Sequence, residues 1–420
     1  MMRSGRFKLR VAVVGCGIAG PAAALLLSRQ GHEVTIFERA AEIKPKGAGI
    51  LLSPTGQFVL EELGLLQEVA LGGSRIGRII GRNPSGREVI DVRYSRVGTG
   101  LAGIGISRTS LFSILHRALN SSDVELRLGR EIVGLTQSHL RSEDGESFGP
   151  FDLILVSDGA RSRLRSELGF VKNPKPYPYG AIWTSATNWG EFADNVLQQA
   201  FAGTRRMAGL LPSGKSPDGQ GKLISIFWSI KLSQWDRLQG AGVSAWSREV
   251  SELFPGSEAF VAQIGDDSSL TVAHYYDSRA IPPFKGRFVL LGDAAHAMSP
   301  QLGQGASLAL MDAWILADSL EREQQVDAGL ISYGERRRRH VNFYAWASRA
   351  MTPLFQSDHS WLAAPRDMLM GPLCRVPWLS KQIALTMCGA KAGVFRSIRQ
   401  EEEVMSLAAR SALRLSQSSR

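Results

Sequence analysis

Cysteine is scarce in this chain: three occur in 420 residues, at Cys16, Cys374 and Cys388. That number and spacing exclude a disulfide framework, a paired-cysteine metal site and a redox-active CxxC motif, and they suit a reducing, cytoplasmic setting. Long apolar runs are also missing. A membrane-spanning helix needs roughly 18 or more apolar residues; the nearest stretch, residues 373–395, is broken by Arg375, Lys381 and Lys391. The apolar run before Gly15 is only a strand long, too short for a signal peptide. There is no internal repeat and no low-complexity linker. Acidic residues are outnumbered, 39 to 49 basic, for a net charge of +10. The basic residues are spread along the chain without a nucleic-acid motif, so the excess reads as a solvated surface and nucleic acid is not an expected partner. The densest group, Arg336 to Arg339, falls in a helical pattern and is expected to form a polar face. These exclusions leave an ordinary globular chain, 44% hydrophobic and long enough for two or three domains.

The positive signal lies in the glycines. Val11 to Val14 is an apolar run that enters Gly15-Cys16-Gly17-Ile18-Ala19-Gly20. An Ala- and Leu-rich helical stretch follows, and a second apolar run, Val34 to Phe37, ends on Glu38. Strand, glycine turn, helix, strand and terminal acid make the βαβ unit that holds the ADP half of a dinucleotide. Gly15 permits the tight turn, Gly17 lets the backbone approach a pyrophosphate, and Gly20 lets the helix pack close to the strands. The N–H groups at the helix start, around Ile18 and Ala19, offer phosphate the positive end of the helix dipole. Glu38 can accept hydrogen bonds from ribose hydroxyls, which disfavours a 2′-phosphate. Arg39 beside it is a candidate for the adenine edge. The fingerprint alone does not separate NAD from FAD.

Further elements follow. A helix is expected near 55–70 and strands over 75–94. Ser107 or Thr109 caps a helix opened by Arg108, with Leu111, Ile114, Leu115 and Leu119 as its apolar stripe. Residues 124–136 read as a strand pair, and Leu153 to Val156 as a buried strand meeting the turn Ser157-Asp158-Gly159. From about 172 to 285, aromatic residues and alternation predict an antiparallel sheet. The first pattern then returns: a strand, Gly292-Asp293, and the loop Pro300-Gln-Leu302-Gly303-Gln304-Gly305-Ala306, which opens a long helix. The remainder is helical, with Pro353, Pro365, Pro372 and Pro377 as breaks.

Taken in order, Gly15-x-Gly17-x-x-Gly20 with Glu38-Arg39, Ser107-Arg108, Asp158-Gly159-Ala-Arg161-Ser162 and Gly292-Asp293-Ala-Ala-His296 resemble a known family. It is that of the single-component FAD-dependent aromatic hydroxylases, class A flavoprotein monooxygenases such as para-hydroxybenzoate and salicylate hydroxylases. The resemblance covers about 1–170 and 280–345. It departs at Pro283-Phe284-Lys285-Gly286-Arg287, where many relatives carry a tryptophan. It implies FAD as cofactor and NADPH or NADH as co-substrate. It directs Arg108 toward FAD, with a forked guanidinium suited to oxygen acceptors. By the same resemblance Asp293, expected at the end of a buried strand, contacts a ribityl hydroxyl. The backbone of Ile132 lies beside adenine, Asp158 holds a turn serving both FAD and nicotinamide, and Gly47 and Gly49 lie beside a mobile flavin. Pro300, Gly303, Gly305 and Ala306 support the pyrimidine edge, where a helix N-terminus favours the negative charge of reduced flavin. Arg161 and Arg165 are candidates for nicotinamide phosphates, weighed against structural roles. His296 reads as structural, and no side chain is assigned a catalytic part, because the flavin carries the chemistry. The fold class implied is α/β: a Rossmann-like βαβ domain of the glutathione reductase-like FAD/NAD(P) type, at 1–171 and 286–345. An antiparallel β-sheet substrate domain is inserted at 172–285, and a helical extension follows at 346–420.

The implied reaction is hydroxylation. Reduced flavin takes up O₂ as a C4a-hydroperoxide, which passes OH to an aromatic or heteroaromatic small molecule where water is excluded. Trp183, Phe201, Met207, Trp228 and Tyr275 are candidate pocket walls. A phenolic substrate calls for a base or cation, and Arg205, Arg206, His274, Tyr177 and Tyr179 are the candidates. A flavin-dependent epoxidase, a quinone-precursor hydroxylase or a reductase on the same fold remain alternatives. A non-catalytic flavin-fold binding protein is argued against by the intact glycines and Asp293, and a halogenase by the missing WxWxIP motif. The stretch from Met351 could cover a substrate entrance, form a dimer contact or lie weakly on a membrane surface. Monomer and homodimer both remain open.

Overall fold

Strand register decides where this fold opens. Arg10–Val14 is buried over four of its five residues, as expected of a strand covered on both faces. It pairs in parallel with Leu153–Val156 on one side and Glu33–Phe37 on the other. The pairs Val14↔Phe37, Val14↔Val156 and Val156↔Leu290 bring four strand ends level. The chain therefore leaves the sheet along one edge, at Gly15, Glu38, Ser157 and Leu291. The full order of this six-stranded sheet is Phe284–Lys285, Phe288–Leu290, Leu153–Val156, Arg10–Val14, Glu33–Phe37, Glu125–Arg127. The computed structural model describes residues 7–42, 49–170, 174–188, 190, 192–216, 221–265 and 270–398.

One face of the sheet packs on the helices Ala19–Arg29 and Gly305–Arg322, whose Leu25, Leu27, Leu310 and Leu316 are in the core. The other face packs on a small sheet of Ile132–Thr136, His139–Ser142 and Ser147–Phe148. The expected strand pair at 124–136 is thus divided. Glu125–Arg127 closes the parallel sheet, and Ile132–Thr136 starts the small one. The expected helix at 55–70 is two helices, Pro54–Glu62 and Leu66–Gly72, parted by Gly64 at φ +69°.

A seven-stranded sheet stands beside this layer: Thr271–Ala273, Tyr179–Asn188, Lys222–Lys231, Arg206–Lys215, Val196–Ala202, Arg78–Arg82 and Glu88–Arg93. Its last two strands come from the segment before residue 100, joined through a parallel pairing of Arg78–Arg82 with Val196–Ala202. One face is covered by the helices Trp235–Ala241, Val243–Leu253 and Glu258–Val261. The other faces the long helix Val326–Phe355 and the helices Ala363–Arg375 and Pro377–Met387. Pro353 and Pro372 lie inside helices, close to their C-terminal ends, and Pro377 opens the last one. Arg337 overturns the expected polar face of its cluster: it is 1% exposed and in the core. Among the described residues no helix is long and apolar enough to cross a membrane.

Candidate active site

The level strand ends form a crevice at the carboxyl edge of the parallel sheet, the place where α/β folds bind ligands. Its floor is set by glycines that tolerate no side chain. A Cβ on Gly15, at φ +102°, would lie 2.6 Å from the Ser157 carbonyl oxygen, and one on Gly20 would lie 2.2 Å from the Gly15 carbonyl oxygen. A Cβ on Gly17, by contrast, would meet nothing within 4 Å, so its backbone is open to a ligand. Glu38 holds the turn in place: its carboxylate accepts hydrogen bonds from the N–H groups of Cys16 (2.8 Å) and Ala40 (3.0 Å). Ile18 and Ala19 stand at the helix start as expected, with no side-chain cap competing for the N–H groups. Arg39 is exposed at the rim, and buried Ile132 packs with Val14 and Phe37 below it.

Arg108, Asp158 and Asp293 stand on the crevice walls. Ser107 caps the helix that Arg108 opens, accepting from Ser110 N–H, and the Arg108 guanidinium lies over the Phe112 ring. Asp293 departs from the sequence reading. It is not enclosed at a strand end: it opens a short helix, Asp293–His296, and its side chain is exposed to the crevice. Partial desolvation still raises its pKa, against the pull of His296, Arg108 and Arg165. Asp158 is likewise exposed to the crevice, with its pKa raised by desolvation and lowered in part by Ser162, Arg165 and Arg39. Arg165 is not available to nicotinamide phosphates. It is fully buried and donates to Ser278 Oγ and to the carbonyl oxygens of Asp293, Ala294 and Ala160, so it fixes the Gly-Asp turn from behind. Arg161 remains exposed.

A buried polar chain supports the same turn, and sequence reasoning missed most of it. Asp312 accepts from Gly292 N–H (2.8 Å), from His296 Nε2 (2.6 Å) and from Arg337 Nε (2.6 Å). Arg337 also donates to His340 Nδ1 (2.5 Å), whose Nε2–H donates to the Gly389 carbonyl (2.8 Å). That pattern makes His340 neutral, and burial with Arg337 nearby pushes its pKa down to about 3. Asp312 is held at about 2, because His296 and Arg337 outweigh its desolvation. His296 is structural, as read. Gly292, at φ +58°, lies where a Cβ would be 3.3 Å from the Cβ atoms of both Ala19 and Ala309, so the turn is wedged between the two main helices.

Next to the turn, Pro300–Leu302 and left-handed Gly303 lead into Gly305, Ala306 and the long helix, which has no side-chain cap. Ser299 Oγ, Gln301 Oε1 and Gln304 Oε1 are buried there without a hydrogen-bond partner among the described residues. Unpartnered buried acceptors beside free helix N–H groups fit a ligand rich in polar edges. Together with the open backbone at Gly17 and the Glu38 carboxylate, they fit a bound dinucleotide. Gly49 lines the cavity described next and is also fixed by packing: its Cβ would lie 2.2 Å from Ser213 Oγ in the seven-stranded sheet. Gly47 lies outside the described residues.

Pro300, Gln301, Leu302 and Gly303 also form one end of a cavity of about 510 Å³. It lies between the seven-stranded sheet and the last three long helices. Trp183, Phe201, Met207 and Tyr275 line it as expected; Trp228 does not, and packs on the opposite face against Trp246. None of Arg205, Arg206, His274, Tyr177 or Tyr179 lines it. Arg205 and Tyr179 are engaged with Asp358 and Arg206 with Glu249, while His274 is exposed. Among its described lining residues the one charged group is Lys391, whose ammonium donates to Gln382 Oε1 and the Val394 carbonyl. Tyr275 is no base either, since burial raises its phenol pKa. Four amides also line the cavity, Gln199, Gln301, Gln356 and Gln382, together with the Thr386 hydroxyl.

Residues 8–345 match the family model described as an FAD binding domain. The chain is 29% identical over 375 residues to the aurachin C monooxygenase/isomerase of Stigmatella aurantiaca, covering 86% of this chain and 94% of that protein. It is 26% identical over 376 residues to a 2-heptyl-3-hydroxy-4(1H)-quinolone synthase of Pseudomonas aeruginosa, with the same two coverages, 86% and 94%. Its fold is that of Klebsiella pneumoniae HpxO, solved with FAD and uric acid: TM-score 0.76, 20% identity, 91% of this chain and 99% of the other. With the glycine turn, the Gly-Asp turn and the crevice between them in place, the chain belongs to the FAD-binding-domain family of class A flavoprotein monooxygenases.

Proposed function

We propose that this FAD-dependent monooxygenase acts on a neutral, lipophilic aromatic or heteroaromatic compound, with NADPH or NADH and O₂ as co-substrates. The observation that carries the reading is the cavity, walled by aliphatic and aromatic side chains and furnished with amides in place of a base or a guanidinium. A benzoate in such a place would find a single cation among the described lining residues, the Lys391 ammonium, already donating to Gln382 and the Val394 carbonyl, and otherwise hydrocarbon in which a carboxylate is costly. A ring with amide-like edges and an apolar substituent would match both the glutamines and the hydrocarbon wall. A second reading, epoxidation on the same fold, is favoured by the same lack of a base, because an alkene needs no deprotonation.

Bound FAD supplies the reaction with dioxygen once reduced. In the assignment we favour, Gly15, Gly17, Gly20 and the amides of Ile18 and Ala19 receive its pyrophosphate, with Glu38 on the adenosine ribose. Arg39 and Ile132 border the adenine. Arg108, Asp158 and Asp293 meet the central part, and Gly49, Pro300, Gly303, Gly305 and Ala306 border the ring system. The helix N-terminus at Gly305 would stabilise negative charge near the cavity mouth. In this scheme 1–171 with 286–345 forms the FAD unit, 172–285 the substrate-binding sheet, and 346–420 the cover of the cavity, in a cytoplasmic enzyme. NAD(P)H consumption by the FAD-loaded protein tests the substrate class. 2-Alkyl-4-quinolones should accelerate it, more so with a longer chain, and yield hydroxylated product. Acceleration by hydroxybenzoates alone would overturn the reading.

A further inference from the structure

The helix Ala363–Arg375 has a buried side and, next to it, an exposed apolar one. Its inner side, Arg366, Met370 and Cys374, repeats every four residues and faces the protein, with Met370 and Cys374 in the cavity wall. Gly371 seats it tightly, since a Cβ there would lie 2.2 Å from the Glu88 carbonyl oxygen. The outer side carries Met368, Leu369 and Leu373, continued by Val376, and all four are exposed. Trp378 and Phe395 extend this surface, their rings 6.1 Å apart, with Phe395 80% exposed. Trp346 and Val394 are both exposed and in the cavity wall, so the surface and the cavity meet.

Charge indicates what covers the surface. Residues 368–398 contain no Asp or Glu but carry Arg375, Lys381, Lys391 and Arg396, of which all but Lys391 are exposed. Arg375 has Glu88 at 3.8 Å on the flanking strand. A two-fold contact with a second copy would set this basic rim against itself. An anionic bilayer meets every part of it: headgroups the basic residues, the interfacial zone the tryptophans, acyl chains the leucine side.

We propose that this surface docks on an anionic lipid bilayer, with the cavity opening toward the lipid so that an apolar substrate enters from the membrane phase. The docking is read without turnover, so it fails or holds separately from the proposed substrate class. The test is co-sedimentation of the FAD-loaded protein with vesicles of phosphatidylglycerol and phosphatidylcholine, compared with phosphatidylcholine alone. The protein should pellet with the anionic vesicles and be released by salt. Leu369→Glu/Leu373→Glu, at positions outside the cavity wall, should weaken that partitioning roughly tenfold or more with flavin content unchanged. Lys381→Glu/Arg396→Glu should remove the preference for anionic lipid. Failure of the wild-type chain to pellet with either vesicle would overturn the proposal. So would equal pelleting of Leu369→Glu/Leu373→Glu, or a soluble dimer that this variant dissociates without any vesicle binding.

Discussion

Trp183 and Trp228 show what a single position can and cannot tell. Both lie in strands whose alternation marks them as half-buried, and the register pairs Trp183 with Phe227 and Ile182 with Trp228. Alternation says that Phe227 and Trp228 point to opposite faces, but not which face borders the ligand. Only the helices stacked on each side decide it, and they come from distant sequence. Glycines are the reverse case. Gly15 and Gly20 were legible because the spacing itself demands backbone contact, and the structure supplies it. Gly20→Ala should therefore lower the FAD retained on purification by about tenfold or more, the equivalent of some 1.4 kcal/mol, because its methyl would meet a carbonyl oxygen. The ratio of flavin to protein absorbance measures this.

At the scale of elements, the chain from Gly292 through Asp312, Arg337 and His340 to Gly389 ties the Gly-Asp turn to two helices and the C-terminal turn. Arg337 falls in the cluster expected to form a polar face, and nothing in the sequence marks Asp312; periodicity places both in helices but does not reveal a buried partner across helices. Asp312→Asn leaves Arg337 buried without its counter-charge and should cost about 3–5 kcal/mol of stability, seen as a lowered urea midpoint. The pH dependence follows from the lowered pKa values. Unfolded His340 takes up a proton below its ordinary 6.5, whereas the folded one resists until about 3. Its contribution is whole above 6.5 and is lost as pH falls between those values, by about 1.4 kcal/mol per unit. Asp312 adds a further loss from 3.8 down to about 2. His340→Gln should be less stable near neutrality, and its deficit should shrink at that rate on acidification below 6.5. A constant deficit would contradict the neutral buried His340. The cavity wall is an element-scale feature too. Ala347→Phe, on the long helix, should raise KM for long-chain substrates by roughly tenfold and leave ring-only substrates nearly unchanged.

For the whole molecule, the parallel sheet and its crevice were legible because the elements recur with their own punctuation: apolar run, glycine turn, helix, acid. The covering sheet was legible as a class, yet its two strands from before residue 100 join it through a parallel pairing that no local pattern announces. None of the five residues expected to serve a phenol lines the cavity, Arg205, Arg206 and Tyr179 being taken up by carboxylates elsewhere, and the one cation among its described lining residues, Lys391, was not among them. That outcome underlies the proposal of a neutral, apolar-substituted ring as substrate. The most direct measurement is turnover of such a compound, a long-chain 2-alkyl-4-quinolone, by the FAD-loaded protein with NADPH under isotopically labelled dioxygen, with mass analysis of the product. One labelled oxygen atom in the product for each nicotinamide consumed is the predicted result. Consumption that yields only hydrogen peroxide with every lipophilic ring, together with labelled product from a hydroxybenzoate, would contradict it.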